Sequence, residues 1–244
     1  MTAPIRIAMW SGPRNISTAM MRSFGARPDT SVVDEPFYAA YLAASDADHP
    51  MRAEVLASQP TNWRDVVRGL LADPSADRPI AYQKHMTHHM LPDFGLDWMG
   101  QVRNAFLIRA PEAVLASYAV KRGEATLADI GVVRQSEIFA READRLGHAP
   151  PVVEGRDVLA DPARILARLC NALDIPWTPA MLGWPAGRRD TDGVWAPAWY
   201  DAVEKSTGFG PPPADAAVHL PPALQRIADQ ARPCYEQLAR WKIA

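Results

Sequence analysis

The stretch 9-MWSGPRNISTAMMRSF-24 carries the chain from an apolar run, through a short turn, into a helical segment. Residues 5–10, ending in Ala8-Met9-Trp10, read as a strand, and 17–24 read as a helix stopped by Gly25 and Pro28. A glycine between a strand and a helix allows a tight turn and lets the backbone approach an anion closely. Beyond Gly12, the helix start at 16–18 offers unpaired N–H groups and the positive end of the helix dipole. Ser17 and Thr18 add hydroxyl donors, and Arg14 adds a fixed charge.

A triphosphate-binding loop has the form G-x-x-x-x-G-K-[ST]. Counted from Gly12, the chain has Ser17, Thr18 and Ala19 where the second glycine, the lysine and the magnesium-holding hydroxyl belong. Without that lysine and that metal ligand, a magnesium-dependent kinase is disfavoured. An arginine-bearing loop with no metal ligand suits a group of lower charge. A sulfuryl group carries one negative charge fewer than a phosphoryl group. The competing reading is an ordinary connection whose Ser17 and Thr18 cap the helix, and the loop by itself leaves both open.

Outward from this loop, short apolar runs alternate with longer amphipathic ones. Further strands are predicted at 31–33, 80–84, 105–108 and 151–154. Helices are predicted at 37–42, 51–57, 63–72, 111–122, 124–146, 162–173 and 224–241. This order predicts an α/β fold, a parallel sheet covered by helices on both faces. The whole chain reads as a single domain, with a core over about residues 5–180 and a C-terminal lid and helix over 181–244. Ligands bind beyond the carboxyl ends of such strands. Residues 11–18, 34–36, 84–89 and Arg109 all lie at those ends, so one cleft can collect them.

Composition narrows the classes. The 26 Lys+Arg against 28 Asp+Glu give a formal net charge of -2, which argues against a broadly basic nucleic-acid surface. No run approaches the roughly 18 apolar residues a membrane span needs. No basic segment followed by an apolar core marks a signal peptide, so a soluble cytoplasmic protein is expected. Cys170 and Cys234 are expected as small buried fillers rather than a disulfide.

Three motifs resemble the sulfotransferase family. The run 13-PRNIST-18 is similar to the family's 5′-phosphosulfate loop, P-[KR]-x-G-[ST]-[ST], with Arg14, Ser17 and Thr18 matching and Ile16 where that family often has glycine. The run 106-FLIRAPEAVLASYAVKRG-123 resembles the 3′-phosphate motif, in which a strand ends in arginine, proline follows two residues later, and Ser-Tyr follows eight residues later. Arg109, Pro111, Ser117 and Tyr118 match it position by position. The run 152-VVEGRDVLADPARILARLCNALDIPW-177 resembles the strand–helix unit that ends the family's core. The resemblance implies a P-loop nucleotide fold and 3′-phosphoadenosine-5′-phosphosulfate (PAPS) as donor. It also implies metal-free, in-line transfer to a hydroxyl or amine of a small-molecule or carbohydrate acceptor. The implied donor site comprises Gly12, Pro13, Arg14, Asn15, Ile16, Ser17 and Thr18 for the phosphosulfate, with Arg109 and Ser117 for the 3′-phosphate.

The acceptor proton needs a base. Glu35, in 32-VVDEPFY-38, resembles the glutamate of the "EP" pair in carbohydrate-type members, and Asp34 beside it would raise its pKa. The alternative is His85, in 82-YQKHMTHHMLP-92, because cytosolic members carry a K-T-H base in this region. A strand continuing past 84 would put His85 and His89 on one face, whereas a helix starting there would bring His85 beside His88 and His89. No H-E-x-x-H pattern or cysteine pair supports zinc. Lys84 is the candidate to neutralise the departing bridging oxygen. Lys205, in 203-VEKSTGFG-210, is the candidate for the family's C-terminal loop over the nucleotide. Acceptor contacts are expected from loops 43–72 and 91–103, where Trp63 and Trp98 would line a pocket. Trp184, Trp195, Trp199 and Tyr200 are expected as lid and core packing. A phosphotransferase or nucleotide hydrolase, and a binder without chemistry, are the competing classes on the same fold.

Overall fold

The computed structural model describes residues 4–122, 125–213 and 218–243. Five parallel strands form one sheet in the order β2-β3-β1-β4-β5: β1 Ile5–Ser11, β2 Thr30–Asp34, β3 Ile80–Met86, β4 Arg103–Ile108 and β5 Val152–Glu154. The helices between them are α1 Ser17–Gly25, α2 Tyr38–Ala43, α3 Arg52–Ser58, α4 Trp63–Leu71, α5 Pro111–Arg122 and α6 Val132–Leu146. After β5 come α7 Gly155–Ala160, α8 Pro162–Ala172, two single turns α9 Ala196–Trp199 and α10 Asp201–Glu204, and α11 Pro222–Ala239.

β1 is central, hydrogen-bonded to β3 on one side and β4 on the other. Ile7, Ala8, Met9 and Trp10 are all fully buried, which explains why the strand is apolar without alternation. The pleat sends alternate residues to opposite faces. Ile7 and Met9 join Tyr82 and Leu107 under α1 and α8, whereas Ala8 and Trp10 join Phe106 under α6 and the 94–102 segment. Parallel neighbours end together, so the carboxyl ends of β1, β2, β3 and β4 open into one region.

Two predicted boundaries move for physical reasons. β3 continues to Met86, because its backbone stays paired with Ser11 of β1. The helix expected from 124 starts instead at Val132 after Gly131, whose φ of 65° is left-handed. Residue 124 itself lies outside the described residues. A Cβ at Gly131 would meet the Thr87 hydroxyl at 2.6 Å, so this position is glycine for two reasons. Gln135 of α6 then donates to the carbonyls of Trp10 and Leu107 at 3.0 Å each, fastening the helix to the ends of β1 and β4.

The C-terminal segment is tied down by buried polar groups. Arg22 of α1 meets Asp192 at 2.6 Å with both side chains buried, and the Gly193 amide donates to Asp34 at 3.0 Å. Gly183 bridges Gly208, which brings 208–210 back over the sheet. Cys170 is buried beside Met181, and burial raises its thiol to about 11. Cys234 is half-buried on α11 rather than a core filler. Among the described residues no helix is long and apolar enough to cross a membrane.

Candidate active site

Beyond the strand ends lies a cavity of about 360 Å³, within the size range of small-molecule sites. Its lining combines the 13–19 turn, Glu35, Lys84, His88, His89, Arg109, Ser117 and the 199–210 segment.

At the loop end, Ile16 stands at the cap position of α1, and no side chain caps the helix. Ser17 and Thr18 are the first helical residues, so they do not serve as the cap. The first-turn amides therefore face the cavity with the dipole's positive end behind them. The tight conformation falls on Arg14, at φ 55°, not on Gly12. Gly12 is required by proximity instead: a Cβ there would come within 2.6 Å of the Ile130 carbonyl oxygen. Asn15 turns inward, with its Oδ1 accepting from the Ile16 amide at 2.8 Å and its Nδ2 donating to the Leu107 carbonyl at 3.3 Å.

The 13–18 turn and the 109–118 segment meet. Arg14 Nε donates to Ser117 Oγ at 3.0 Å, and Arg109 Nη1 donates to the Arg14 carbonyl oxygen. Burial lowers the pKa of both guanidiniums, and the neighbouring Arg14 adds to the effect at Arg109. Two partly buried cations side by side form a pocket suited to anions.

At the other end, Asp34 and Lys84 are register partners on β2 and β3. Lys84 Nζ donates to Asp34 Oδ1 at 2.8 Å, to Glu35 Oε1 at 2.6 Å and to the Tyr200 hydroxyl at 2.7 Å. An ammonium has three protons, and all three are used here. Lys84 is therefore committed to this network, with none left for a departing oxygen. Burial acts to lower its pKa, but Asp34 and Glu35 outweigh it and hold the ammonium well above its usual range. Glu35 is pushed up by burial and by Asp34, against the pull of Lys84. Its φ of 39° is left-handed for a residue with a side chain. The backbone is held there by the Glu35 amide donating to the Lys84 carbonyl at 3.0 Å, and by Gln59 donating to the Glu35 carbonyl at 3.2 Å.

Several expected residues lie elsewhere. His85 does not face the cavity. The pleat that aims Lys84 at the cleft turns His85 to the other face, where its ring stacks on Trp10 at 4.4 Å and Nε2 meets Gln83 at 3.2 Å. Burial lowers it to about 3. Lys205 is exposed and outside the lining, although Val203, Ser206, Gly208, Phe209 and Gly210 around it belong to the wall. Trp63 and Trp98 pack into the core under β1 and β4 with Phe94 and Phe37, away from the cavity. Of the C-terminal aromatics, Trp199 and Tyr200 reach the cavity, while Trp184 and Trp195 pack. Sequence reasoning did not single out Tyr38, or His88 and His89 as wall residues. The only signal was the 88–89 pair two residues past a strand end.

A family model described as a sulfotransferase domain matches residues 5–237. The chain belongs to the sulfotransferase-domain family. Two curated relatives come from Arabidopsis thaliana, branched-chain-amino-acid aminotransferase-like proteins 1 and 2. They are 37% and 33% identical over 212 and 206 residues, 87% and 84% of this chain. The chain spans only 38% and 36% of their lengths. Among solved structures, the sulfotransferase domain from the curacin biosynthetic pathway matches with TM-score 0.57 at 16% identity, covering 95% of this chain and 99% of that one. A sulfotransferase from Alicyclobacillus acidocaldarius matches with TM-score 0.57 at 13% identity over 98% and 96%. At these identities the likeness establishes the sulfotransferase fold. Among the described residues, no grouping of three or more His, Cys, Asp or Glu side chains is placed to hold a metal ion.

Proposed function

We propose that this sulfotransferase-family chain moves a sulfuryl group from PAPS to a hydroxyl or amine of a small-molecule or carbohydrate acceptor. The observation that carries the reading is the contact of Arg14 with Ser117, with Arg109 on the Arg14 carbonyl, beside an uncapped helix start. One adenylate with charge at both ends needs two cationic grips within its own length, and this cluster supplies them.

In this reading the α1 amides, Ser17, Thr18 and Arg14 hold the 5′-phosphosulfate, with Gly12, Pro13, Asn15 and Ile16 shaping the turn. Arg109 and Ser117 take the 3′-phosphate. Glu35 accepts the acceptor's proton as the new S–O bond forms and the bond from sulfur to the bridging oxygen breaks. Adenosine 3′,5′-bisphosphate leaves. Arg14 and the helix start face the charge that develops on that oxygen. Lys84 is a positioning residue, fixing the carboxylate of Glu35. The raised pKa of Glu35 suits a base working near neutral pH.

Thermal-shift titration with adenosine 3′,5′-bisphosphate against ADP tests the donor reading. A clear preference for the 3′-phosphate is expected. Equal response to ADP overturns it.

A further inference from the structure

Beside Glu35 the cavity wall is built of imidazoles. His89 is 2% exposed, and its Nδ1 has no hydrogen-bond partner. That nitrogen lies 3.9 Å from Glu35 Oε2. The His89 ring stacks nearly parallel to Tyr38 at 4.4 Å and to Tyr41 at 5.0 Å, contacts that hold its orientation. A buried, immobilised polar atom with nothing to bond asks for a ligand. His88, 4.3 Å away ring to ring, also has a buried Nδ1 without a partner. Burial first, and neighbouring imidazoles and Lys84 next, hold His89 well below its usual range, so this wall is uncharged at neutral pH.

The 3.9 Å gap is too wide for a direct hydrogen bond. One oxygen seated about 2.8 Å from each atom would bridge it, with about 90° between the two bonds. We propose that His89 Nδ1 and Glu35 Oε2 form the seat of the acceptor's reacting oxygen, and that the acceptor is an uncharged alcohol rather than an amine. The proposal rests on the reading of Glu35 as base and narrows its acceptor class. Seated there, the hydroxyl donates its proton to Glu35 Oε2 and accepts from His89 Nδ1–H. Its second lone pair stays open to sulfur. As the S–O bond forms, that proton passes to Glu35, and no other co-reactant is required. A primary amine arrives as an ammonium with three donors and no lone pair, so it meets the His89 N–H donor to donor. It must also give up one proton before it can attack sulfur and a second as the N–S bond forms, whereas Glu35, with its other oxygen on Lys84 Nζ at 2.6 Å, takes up one.

The test assays matched pairs with labelled PAPS: hexan-1-ol against hexylamine, cyclohexanol against cyclohexylamine, and 2-phenylethanol against 2-phenylethylamine. Calorimetry with adenosine 3′,5′-bisphosphate runs in parallel. On the wild-type protein, alcohols are expected to exceed their amines by at least about tenfold in kcat/KM at pH 7.5, a discrimination ordinary for one mispaired polar group. His89→Leu should lower alcohol transfer about 10²-fold while leaving bisphosphate affinity within about twofold, because the lost contact is to the acceptor alone. His89→Asn, whose amide N–H reaches the Nδ1 position, should recover part of it. Amines sulfated as well as alcohols overturn the proposal, as does transfer to neither with the bisphosphate bound. Unchanged alcohol transfer in His89→Leu also overturns it. Failure to bind the bisphosphate overturns the donor reading and this proposal with it.

Discussion

Arg14 and Ser117 stand 103 residues apart in the chain and meet at 3.0 Å, Nε to Oγ. The first lies on the turn after β1 and the second inside α5, the helix that follows β4. Because β1 and β4 are register neighbours, the fold rather than the local sequence brings the two motifs into contact. The proposed function assigns the two residues different tasks, which kinetics can resolve.

If the Arg14 charge acts mainly on the departing group, Arg14→Ala should lower kcat by about 10²–10³-fold, the usual cost of losing one preorganised donor at a developing charge. Affinity for adenosine 3′,5′-bisphosphate should fall far less. Ser117→Ala should do the reverse, weakening the bisphosphate with a small change in kcat. Equal losses of turnover and binding in Arg14→Ala would remove its transition-state role.

The Lys84 cluster predicts a stability effect. Lys84→Met strands two buried carboxylates, Asp34 and Glu35, without their cation. Removing one partner of a buried ion network costs about 3–5 kcal/mol. Tyr200→Phe leaves the charges paired and deletes only a hydroxyl, so it should cost about 1–2 kcal/mol. Urea unfolding monitored by tryptophan fluorescence ranks the two, and a milder Lys84→Met contradicts the network.

Much of this was legible before any coordinates. The strand–turn–helix unit at 9–24 and the alternation of elements follow from local chemistry that a parallel sheet requires, and the pairing of Arg109 with Ser117 came from the resemblance of its motif. What was not legible depends on strand phase and on long-range packing. Lys84 and His85 are adjacent in sequence, so on a strand they must face opposite ways. Once β3 is known to run through Met86, one of them is excluded from the cleft. The choice needed the register of β3 against β1, which no short motif encodes. Trp63 and Trp98 went to the core because the face under Trp10 needed filling, and nothing in their own segments distinguishes that from a pocket wall. Tyr200 reaches Lys84 from 116 residues away, through a loop without periodicity.

Acid should destabilise the fold before most carboxylates titrate. His85 and His88 are held at about 3 and His89 well below its usual range, burial being the main cause, against an ordinary value of 6.5. Unfolding frees them to bind protons, so between pH 6.5 and about 3 the unfolded chain binds more protons at these sites. Stability is then fully present above pH 6.5 and falls as pH drops, by up to about 1.4 kcal/mol per pH unit per histidine. Glu35 and Glu154, raised mainly by burial, bind protons in the folded state and lean the other way. Three histidines outweigh two carboxylates, so urea midpoints should fall from pH 7.5 to 5. His85→Phe, which keeps the stack on Trp10, should flatten that slope, and an unchanged slope contradicts the assignment.

The last prediction concerns the anchor of the cavity's outer wall. Arg22 Nη2 and Asp192 Oδ2 meet at 2.6 Å with side-chain exposures of 1% and 0%. Arg22 Nη1 and Asp192 Oδ1 have no partners, so the pair is not fully satisfied. Asp192 also accepts from the Arg189 amide at 2.8 Å, which bends the segment that carries Trp199 and Tyr200 to the cavity. Arg22→Met or Asp192→Asn alone leaves one buried charge without its counterion and should cost about 3–5 kcal/mol. The double variant removes both charges and should cost clearly less than the sum, because the largest part of each single loss is the stranded partner. Because the pair also holds the outer wall, both single variants should raise acceptor KM more than they weaken adenosine 3′,5′-bisphosphate. Strictly additive losses in the double variant would show that the two charges do not hold each other.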